Sequence, residues 1–270
     1  GGQGAGQAGC VQEAGGEPTV GGHYGVQIDG IIAVFWCDLN PDVANAEAGE
    51  GVYYQTVESL DERLIAFNKL VVQYNVPVFG TSNMCHFEVI LAGDGSVVMQ
   101  YLDLPQATGS WSDESIGFED QSGTMGVQIA YGEVPAPGTA FQIAPSCHAS
   151  SHIGDGTCCT SQVCMCEAVT CSIETDYTFE WIDLIDSGLG TRIDNGMWEQ
   201  NNDDGWFTVR LPFDFLWFGQ VERRITIGTN GVLTFGDGQL PFGSSEPCPC
   251  SYGDAACNNG AEVEGVIAAF

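Results

Sequence analysis

Short apolar runs recur along the chain from residue 25 onward, some alternating with polar residues and some wholly apolar. They are rich in β-branched and aromatic residues, and Gly, Asp, Asn, Pro and Ser separate them, which is typical of strands joined by turns. Two turns, at Asp94-Gly95 and Asn230-Gly231, are predicted as hairpins because glycine supplies the positive φ that they need. The predicted strands are residues 26–39, 52–57, 63–74, 85–92, 97–102, 115–118, 127–131, 140–143, 177–185, 206–211, 213–218, 224–228, 232–235 and 266–270.

This pattern predicts an all-β fold, an antiparallel β-sandwich whose two β halves are joined by a disulfide-rich linker. One stretch is ambiguous, because residues 59–62 have the pattern of a helix capping box while residues 64–76 alternate as a strand. The predicted divisions are an exposed Gly-rich arm (1–24), an N-terminal β half (25–145), a cysteine-rich linker (146–176) and a C-terminal β half (177–270) that ends in a donor-like strand.

One hexapeptide occurs twice: Gly-Ile-Ile-Ala-Val-Phe at 30–35 and Gly-Val-Ile-Ala-Ala-Phe at 265–270. A spare apolar strand exposes unpaired backbone groups, so we expect the duplicate to be completed by another copy of the chain. The residues predicted to take part in assembly are Gly265, Val266, Ile267, Ala268, Ala269 and Phe270, together with Ile31, Ile32, Val34 and Phe35.

Composition narrows the class of protein. The chain has 270 residues, of which 44% are hydrophobic, so it can bury a substantial core. It carries 6 Lys and Arg against 36 Asp and Glu, a net charge of −30, which argues against nucleic acid or an anionic membrane surface as a partner. No apolar run approaches the ~18 residues that span a bilayer, and the start at Gly1 without Met predicts a processed N-terminus.

Twelve cysteines predict an oxidising setting, either secreted or at the cell surface. A zinc-bound intracellular protein is the alternative, but clean pairs of C-x2-C spacing are lacking. The spacing leaves the pairing open. The cysteines predicted to form disulfides are Cys10, Cys37, Cys85, Cys147, Cys158, Cys159, Cys164, Cys166, Cys171, Cys248, Cys250 and Cys257.

Several stretches together resemble nidogen-like β-domains, which occur in large secreted surface proteins, adhesins and mastigoneme-type fibres. The stretches that carry the resemblance are residues 207–215, 218–219, 227–236, 31–41, 51–55, 87–96, 99–101, 115–120 and 123–126. In the family pattern the segment similar to 177–270 comes first, so this chain resembles the family in permuted order. Three arrangements remain open: a permuted domain closed within one chain, pairing between chains, or one period of a longer array. A head-to-tail contact that does not close on itself generates a filament.

Candidate chemistry is sparse. No G-x-S-x-G, H-E-x-x-H or phosphate-binding loop is present, and we therefore expect no enzyme. His148 and His152 have zinc-like spacing but lie in a Ser- and Gly-rich loop, and the acidic pairs Glu119-Asp120 and Asp183/Asp186 are expected by chance in so acidic a chain.

Asp38, Asn40 and Asp42 place oxygens at alternate positions, as the first ligands of a calcium loop do, although Val43 replaces the glycine of an EF-hand. The alternative is an Asx turn leaving a strand. Asn201-Asn202-Asp203-Asp204-Gly205 shows the same feature more weakly and reads as a solvated loop. No cofactor is predicted with certainty, and calcium is the one candidate.

Trp111 and Trp198, which lie in polar surroundings, are the candidates for stacking on a glycan. The sequence thus predicts an extracellular structural protein, the subunit of a homopolymeric filament assembled by β-strand complementation. The alternative is a calcium-dependent adhesive or glycan-binding domain of a large surface protein.

Overall fold

A computed structural model describes residues 11–12, 30–57, 68–105, 114–121, 125–146 and 170–235. Within these ranges the fold is an all-β sandwich of two antiparallel sheets, with short 3-10 turns at Pro41–Val43 and Ala46–Ala48. The predicted all-β antiparallel sandwich is therefore confirmed, whereas residues 147–169 of the predicted disulfide-rich linker lie outside the described residues. No helix in the described ranges is long and apolar enough to cross a membrane.

The strands of the described residues are β1 (Val11–Gln12), β2 (Ile31–Trp36), β3 (Gly51–Val57), β4 (Lys69–Pro77), β5 (Met84–Ala92), β6 (Val97–Asp103), β7 (Ser115–Glu119), β8 (Met125–Tyr131), β9 (Thr139–Ser146), β10 (Thr170–Glu174), β11 (Thr191–Arg192), β12 (Trp206–Trp217), β13 (Gln220–Gly228) and β14 (Val232–Phe235). Within the described ranges each sheet has seven strands. Sheet A runs in the order β10-β9-β6-β5-β4-β3-β11, and sheet B in the order β1-β8-β7-β2-β14-β13-β12.

The inner faces of the two sheets form one continuous core. Along β4 and β5 alternate side chains such as Tyr74 and Phe87 point into this core and are fully buried, as the period of two in a strand requires. Phe87 stacks on Tyr74 with the ring centroids 4.6 Å apart. Burying this inner apolar surface is the main favourable term in the stability of the sandwich.

Both predicted hairpins are confirmed. Gly95 has a φ of +86° between β5 and β6, and Gly231 has a φ of +73° between β13 and β14. The two runs predicted on either side of Pro212 form one strand, β12. An irregularity of register between Arg210 and Phe215 accommodates the proline, which lacks a backbone donor.

Two predictions for the ends of the linker region need correction. Residues 177–185 are not a strand but an irregular segment lying over the outer face of sheet A. Conversely, residues 170–174 inside the predicted linker form β10, which pairs with β9. The first half of the ambiguous stretch, residues 58–67, lies outside the described residues, and its second half is part of β4.

Candidate functional site

The two β halves meet where β2 lies between β7 and β14 in the middle of sheet B. Strand β2 belongs to the N-terminal half and β14 to the C-terminal half, and they pair antiparallel with Val232 opposite Ala33 and Leu233 opposite Ile32. All six side chains of β2 are buried. We call this pairing the junction, because it completes sheet B from segments that are far apart in sequence.

The turn before β14 comes unusually close to β2. The carbonyl oxygen of Gly231 accepts hydrogen bonds from the backbone N–H of Val34 and of Phe35, at 3.1 and 3.3 Å. A Cβ atom placed on Gly231 would lie 2.1 Å from the carbonyl oxygen of Phe35. This position therefore requires glycine for two reasons: the turn has a positive φ, and the two backbones approach too closely for a Cβ atom.

Two buried tyrosines tie sheet A to the junction. The hydroxyl of Tyr101 donates to the carbonyl oxygen of Val34 at 2.6 Å, and that of Tyr74 donates to the carbonyl oxygen of Gly228 at 2.8 Å. Burial raises the pKa of both phenols, so each stays a hydrogen-bond donor at any physiological pH. These bonds satisfy carbonyl groups that the close packing of the sheets removes from water.

The predicted assembly residues divide into two groups. Ile31, Ile32, Val34 and Phe35 lie in β2, where β7 and β14 of the same chain occupy both edges. The second copy of the hexapeptide, at 265–270, lies outside the described residues.

Close to the junction, two acidic loops converge. The first follows β2 and carries Asp38 and Asp42, and the second precedes β12 and carries Asp203 and Asp204. The Oδ1 atom of Asp42 accepts hydrogen bonds across the gap from the side-chain amides of Asn195 and Asn202, at 3.1 and 3.0 Å.

Asn230 of the β13–β14 turn links both loops. Its Oδ1 accepts from the backbone N–H of Leu39 at 2.9 Å, and its Nδ2 donates to Asp204 at 3.2 Å. In the sequence the two loops are separate candidates for a calcium site, and the fold brings them together.

The convergence of like charges is unfavourable for both loops. Burial, and then the negative charges of Asp203 and Asp204, raise the pKa of Asp38 to about 6. Burial, Asp204 and Asp42 likewise raise the pKa of Asp203 to about 6. These carboxylates repel one another where they are partly removed from water. A bound cation would reduce this repulsion.

The calcium loop predicted from the sequence stays a prediction, and the structure shows an Asx turn at its centre. Asn40 uses its Oδ1 to accept from the backbone N–H of Asp42 at 2.9 Å, so the Asx-turn alternative describes this residue. Asn201 does the same for Asp203 and Asp204, at 2.8 and 2.6 Å. Across the described ranges, no three side chains of Asp, Glu, His or Cys form a group that could hold a metal ion as arranged.

Two further site predictions are corrected. Trp198 has only 6% of its surface exposed, so it is part of the core and its ring is not open to a glycan. Cys37 and Cys85 are buried free thiols in the structure, contrary to the prediction that they are in disulfides. Cys171 lies in β10, while Trp111 and the other predicted disulfide cysteines lie outside the described residues.

A row of buried polar side chains across sheet A was not predicted from the sequence. Gln73, Glu88 and Gln100 lie in the middle of three neighbouring apolar strands, and their side chains are almost completely buried. A polar residue at the centre of each of three consecutive apolar runs would have been the clue, but its use depends on knowing which residues face each other across the sheet.

The chain matches no known protein-family model. No curated protein is similar to it, and no solved structure matches its fold. The resemblance to nidogen-like domains therefore stays a prediction from the sequence motifs.

Proposed function

We propose that the protein is an extracellular structural protein whose copies assemble head-to-tail into a filament by β-strand complementation. The observation that supports this proposal is the junction: one buried strand position beside β14, for which the chain contains two matching sequences. In β-augmentation the backbone bonds supply affinity and the alternate side chains supply specificity.

The two sequences match at the most demanding positions. Gly30 has a φ of +72°, and a Cβ on it would lie 3.3 Å from Gln121 Cγ; the second copy keeps glycine there. Ala33 is fully buried and stays alanine, while Ile32 and Phe35 are also identical in the second copy. Residues 265–270 therefore have the side chains that this position accepts.

The two differences both make the second copy the weaker occupant. Val266 stands for Ile31 and Ala269 for Val34, so the second copy lacks one methylene at the first site and two at the second. At about 0.8 kcal/mol per buried methylene, β2 is favoured by roughly 2 kcal/mol. In the structure, β2 of the same chain occupies the position beside β14. In the proposed assembly, residues 265–270 take this position in a copy whose own β2 is released, and β2 of an incoming copy displaces them.

The test is assembly of the full chain with its disulfides intact, followed by negative-stain imaging and light scattering. Ala269→Val strengthens the packing of residues 265–270 beside β14, so it should slow their displacement and with it filament growth. Val34→Ala weakens the packing of the incoming β2 and should also slow growth. Val57→Ala is the matched control, because Val57 is exposed on β3 and takes no part in the junction. Wild-type protein that stays monomeric at every concentration, or an unaltered rate for Ala269→Val, would refute the proposal.

The convergence of the acidic loops favours a second candidate, a calcium-dependent adhesive domain. Calcium would offset the repulsion among Asp38, Asp42, Asp203 and Asp204 and would join loops from both halves of the chain, provided that these side chains move closer together than they lie in the structure. Isothermal titration with Ca²⁺ should then show binding that Asp203→Asn abolishes and that the exposed Glu133→Gln leaves unchanged. Equal binding by both variants would place the ion elsewhere on this acidic chain.

A further inference from the structure

The irregular segment 177–190, which we call the strap, lies on the outer face of sheet A and is held there in two ways. Its apolar side chains, including Ile182, Leu184 and Ile185, pack on a second apolar cluster of sheet A. That cluster consists of Tyr53, Val71, Ile90 and Val98. Leu184 has 1% of its surface exposed, so the contact is well sealed from water.

The second hold is a row of three polar side chains that crosses the sheet. Gln73 of β4 is opposite Glu88 of β5, which is opposite Gln100 of β6. Each of the three accepts a hydrogen bond from one backbone N–H of the strap. The three N–H groups belong to alternate residues, which is the spacing of an extended chain. Gln100 Oε1 accepts from the N–H of Glu180 at 2.6 Å, Glu88 Oε1 from that of Ile182 at 3.0 Å, and Gln73 Oε1 from that of Leu184 at 2.8 Å.

Glu88 is the one ionisable member of this row, and its surroundings disfavour its charge. Its side chain is fully buried, and its Oε1 also accepts from Gln100 Nε2 at 2.7 Å. Its Oε2 is buried and has no hydrogen-bond partner among the described residues. An unpaired carboxylate oxygen in such a place is costly, and the neutral acid costs less, even though its hydroxyl has no partner there.

The charged groups around Glu88 add to this preference. Of the acidic residues of the strap, Asp183 acts on Glu88 through its charge, whereas Glu180 is exposed and is not among the groups that shift the pKa of Glu88. The neighbouring strands contribute the neutral Gln73 and Gln100. Arg192 is hydrogen-bonded to Tyr53 of the cluster, but it is not among the groups that shift the pKa of Glu88. Burial is the largest cause, and together with the charge of Asp183 it outweighs the hydrogen bonds from Ile182 and Gln100, which favour the carboxylate, so that the pKa of Glu88 is raised to about 8.

We propose that Glu88 makes the strap a pH-operated latch: the neutral carboxyl group holds the strap closed, and loss of its proton releases the strap so that the carboxylate reaches water. Release would also uncover the apolar cluster formed by Tyr53, Val71, Ile90 and Val98. Since the pKa of the closed form lies above the ordinary value of 4.5, the closed latch is most stable below 4.5. It weakens as the pH rises from there to about 8.

Hydrogen exchange of the amides of Ile182 and Leu184 in the full chain tests the latch. After correction for the intrinsic pH dependence of exchange, the opening equilibrium should increase by up to about tenfold per pH unit between pH 5 and 8. Glu88→Gln keeps an acceptor for Gln100 and Ile182 but has no proton to lose, so its opening equilibrium should be flat across this range. Glu180→Gln is the matched control on the exposed side of the strap and should behave as wild type.

A second variant, Asp183→Asn, is measured in the same way and tests the proposal even if Glu88→Gln fails to fold. It removes the acidic neighbour of Glu88 while keeping the Oδ1 acceptor that binds the N–H groups of Ile185 and Asp186. The pKa of Glu88 in the closed form should therefore be lower, so the opening equilibrium should stop rising at a lower pH and its total rise between pH 5 and 8 should be smaller than in wild type. A wild-type strap whose protection does not change with pH, or a Glu88→Gln variant with the same pH dependence as wild type, would overturn the proposal.

Discussion

Replacing Gly231 by alanine tests the junction most directly, because this residue has two separate reasons to be glycine. Its φ of +73° is unfavourable for any residue with a Cβ. Its added Cβ would also lie 2.1 Å from the carbonyl oxygen of Phe35, which is backbone and has no side-chain freedom to move away. The turn must then withdraw from β2.

The structure sets the magnitude of the effect. The positive φ alone costs about 1 kcal/mol for alanine. Withdrawal lengthens the two bonds from Val34 N–H and Phe35 N–H to the Gly231 carbonyl. Each buried N–H left without a partner costs about 1–3 kcal/mol. We therefore expect Gly231→Ala to lower the free energy of unfolding by about 3–7 kcal/mol, a large fraction of the stability of a typical domain.

Gly80→Ala is the matched control. Gly80 has a φ of +69° in the turn between β4 and β5, and a Cβ there would meet nothing within 4 Å. It should cost only the conformational term of about 1 kcal/mol. Urea unfolding of both variants, followed by tryptophan fluorescence under the same conditions, gives the difference. Losses that agree within about 0.5 kcal/mol would refute the close approach of β14 to β2.

Three more predictions concern other contacts of the described fold. Tyr101→Phe removes the hydroxyl that binds the Val34 carbonyl and keeps the ring, so it should lower the unfolding free energy by about 1–2 kcal/mol; an unchanged value would mean that water replaces the hydroxyl. Trp217→Phe loses the indole N–H that donates to the Glu119 carbonyl at 3.1 Å and leaves space beside Phe118 and Phe235, and we expect a loss of about 2–3 kcal/mol by urea unfolding. Burial and acidic neighbours raise the pKa of Asp38 from 3.8 to about 6, so its contribution to stability is complete below 3.8 and is lost as the pH rises through about 6. Asp38→Asn should therefore raise the thermal midpoint at pH 7 and flatten its dependence on pH in this window, and a variant that is less stable than wild type at pH 7 would contradict this.

Local features of the fold were largely predictable. The turns at Asp94-Gly95 and Asn230-Gly231 form as expected, because a glycine with positive φ between two apolar runs has few other uses. Strands such as β5 and β6 follow the predicted runs closely. These features depend on neighbours in sequence, which is the information that a single chain provides.

The strap shows where local pattern fails. Residues 177–185 have the apolar alternation of a strand, and the segment does bind sheet A at every second residue. Its backbone partners, however, are the side chains of Gln73, Glu88 and Gln100 rather than a neighbouring strand. Alternation with a period of two indicates an extended segment with one buried side. It does not identify the groups that form hydrogen bonds with the backbone of that segment.

Trp198 illustrates the same limit for exposure. Its immediate neighbours in sequence include Asn195, Glu199 and Gln200, which suggested an exposed ring. The ring instead packs into the main core formed by distant residues. Burial of one large side chain in a polar loop depends on which surface the loop lies against, and the loop sequence does not encode that surface.

By itself the sequence determined the fold class, the hairpin turns and most strand positions, since these follow from backbone sterics and from the period of apolar residues. The tertiary structure decided the order of the strands, the placement of β2 between β7 and β14, and the meeting of Asp38 and Asp42 with Asp203 and Asp204. The physical reason is that alternation specifies which face of a strand is buried and leaves its partner open. The partner is chosen by the fit of whole surfaces, at the junction by the close approach of Gly231 to β2, and that fit exists only once both halves are in place.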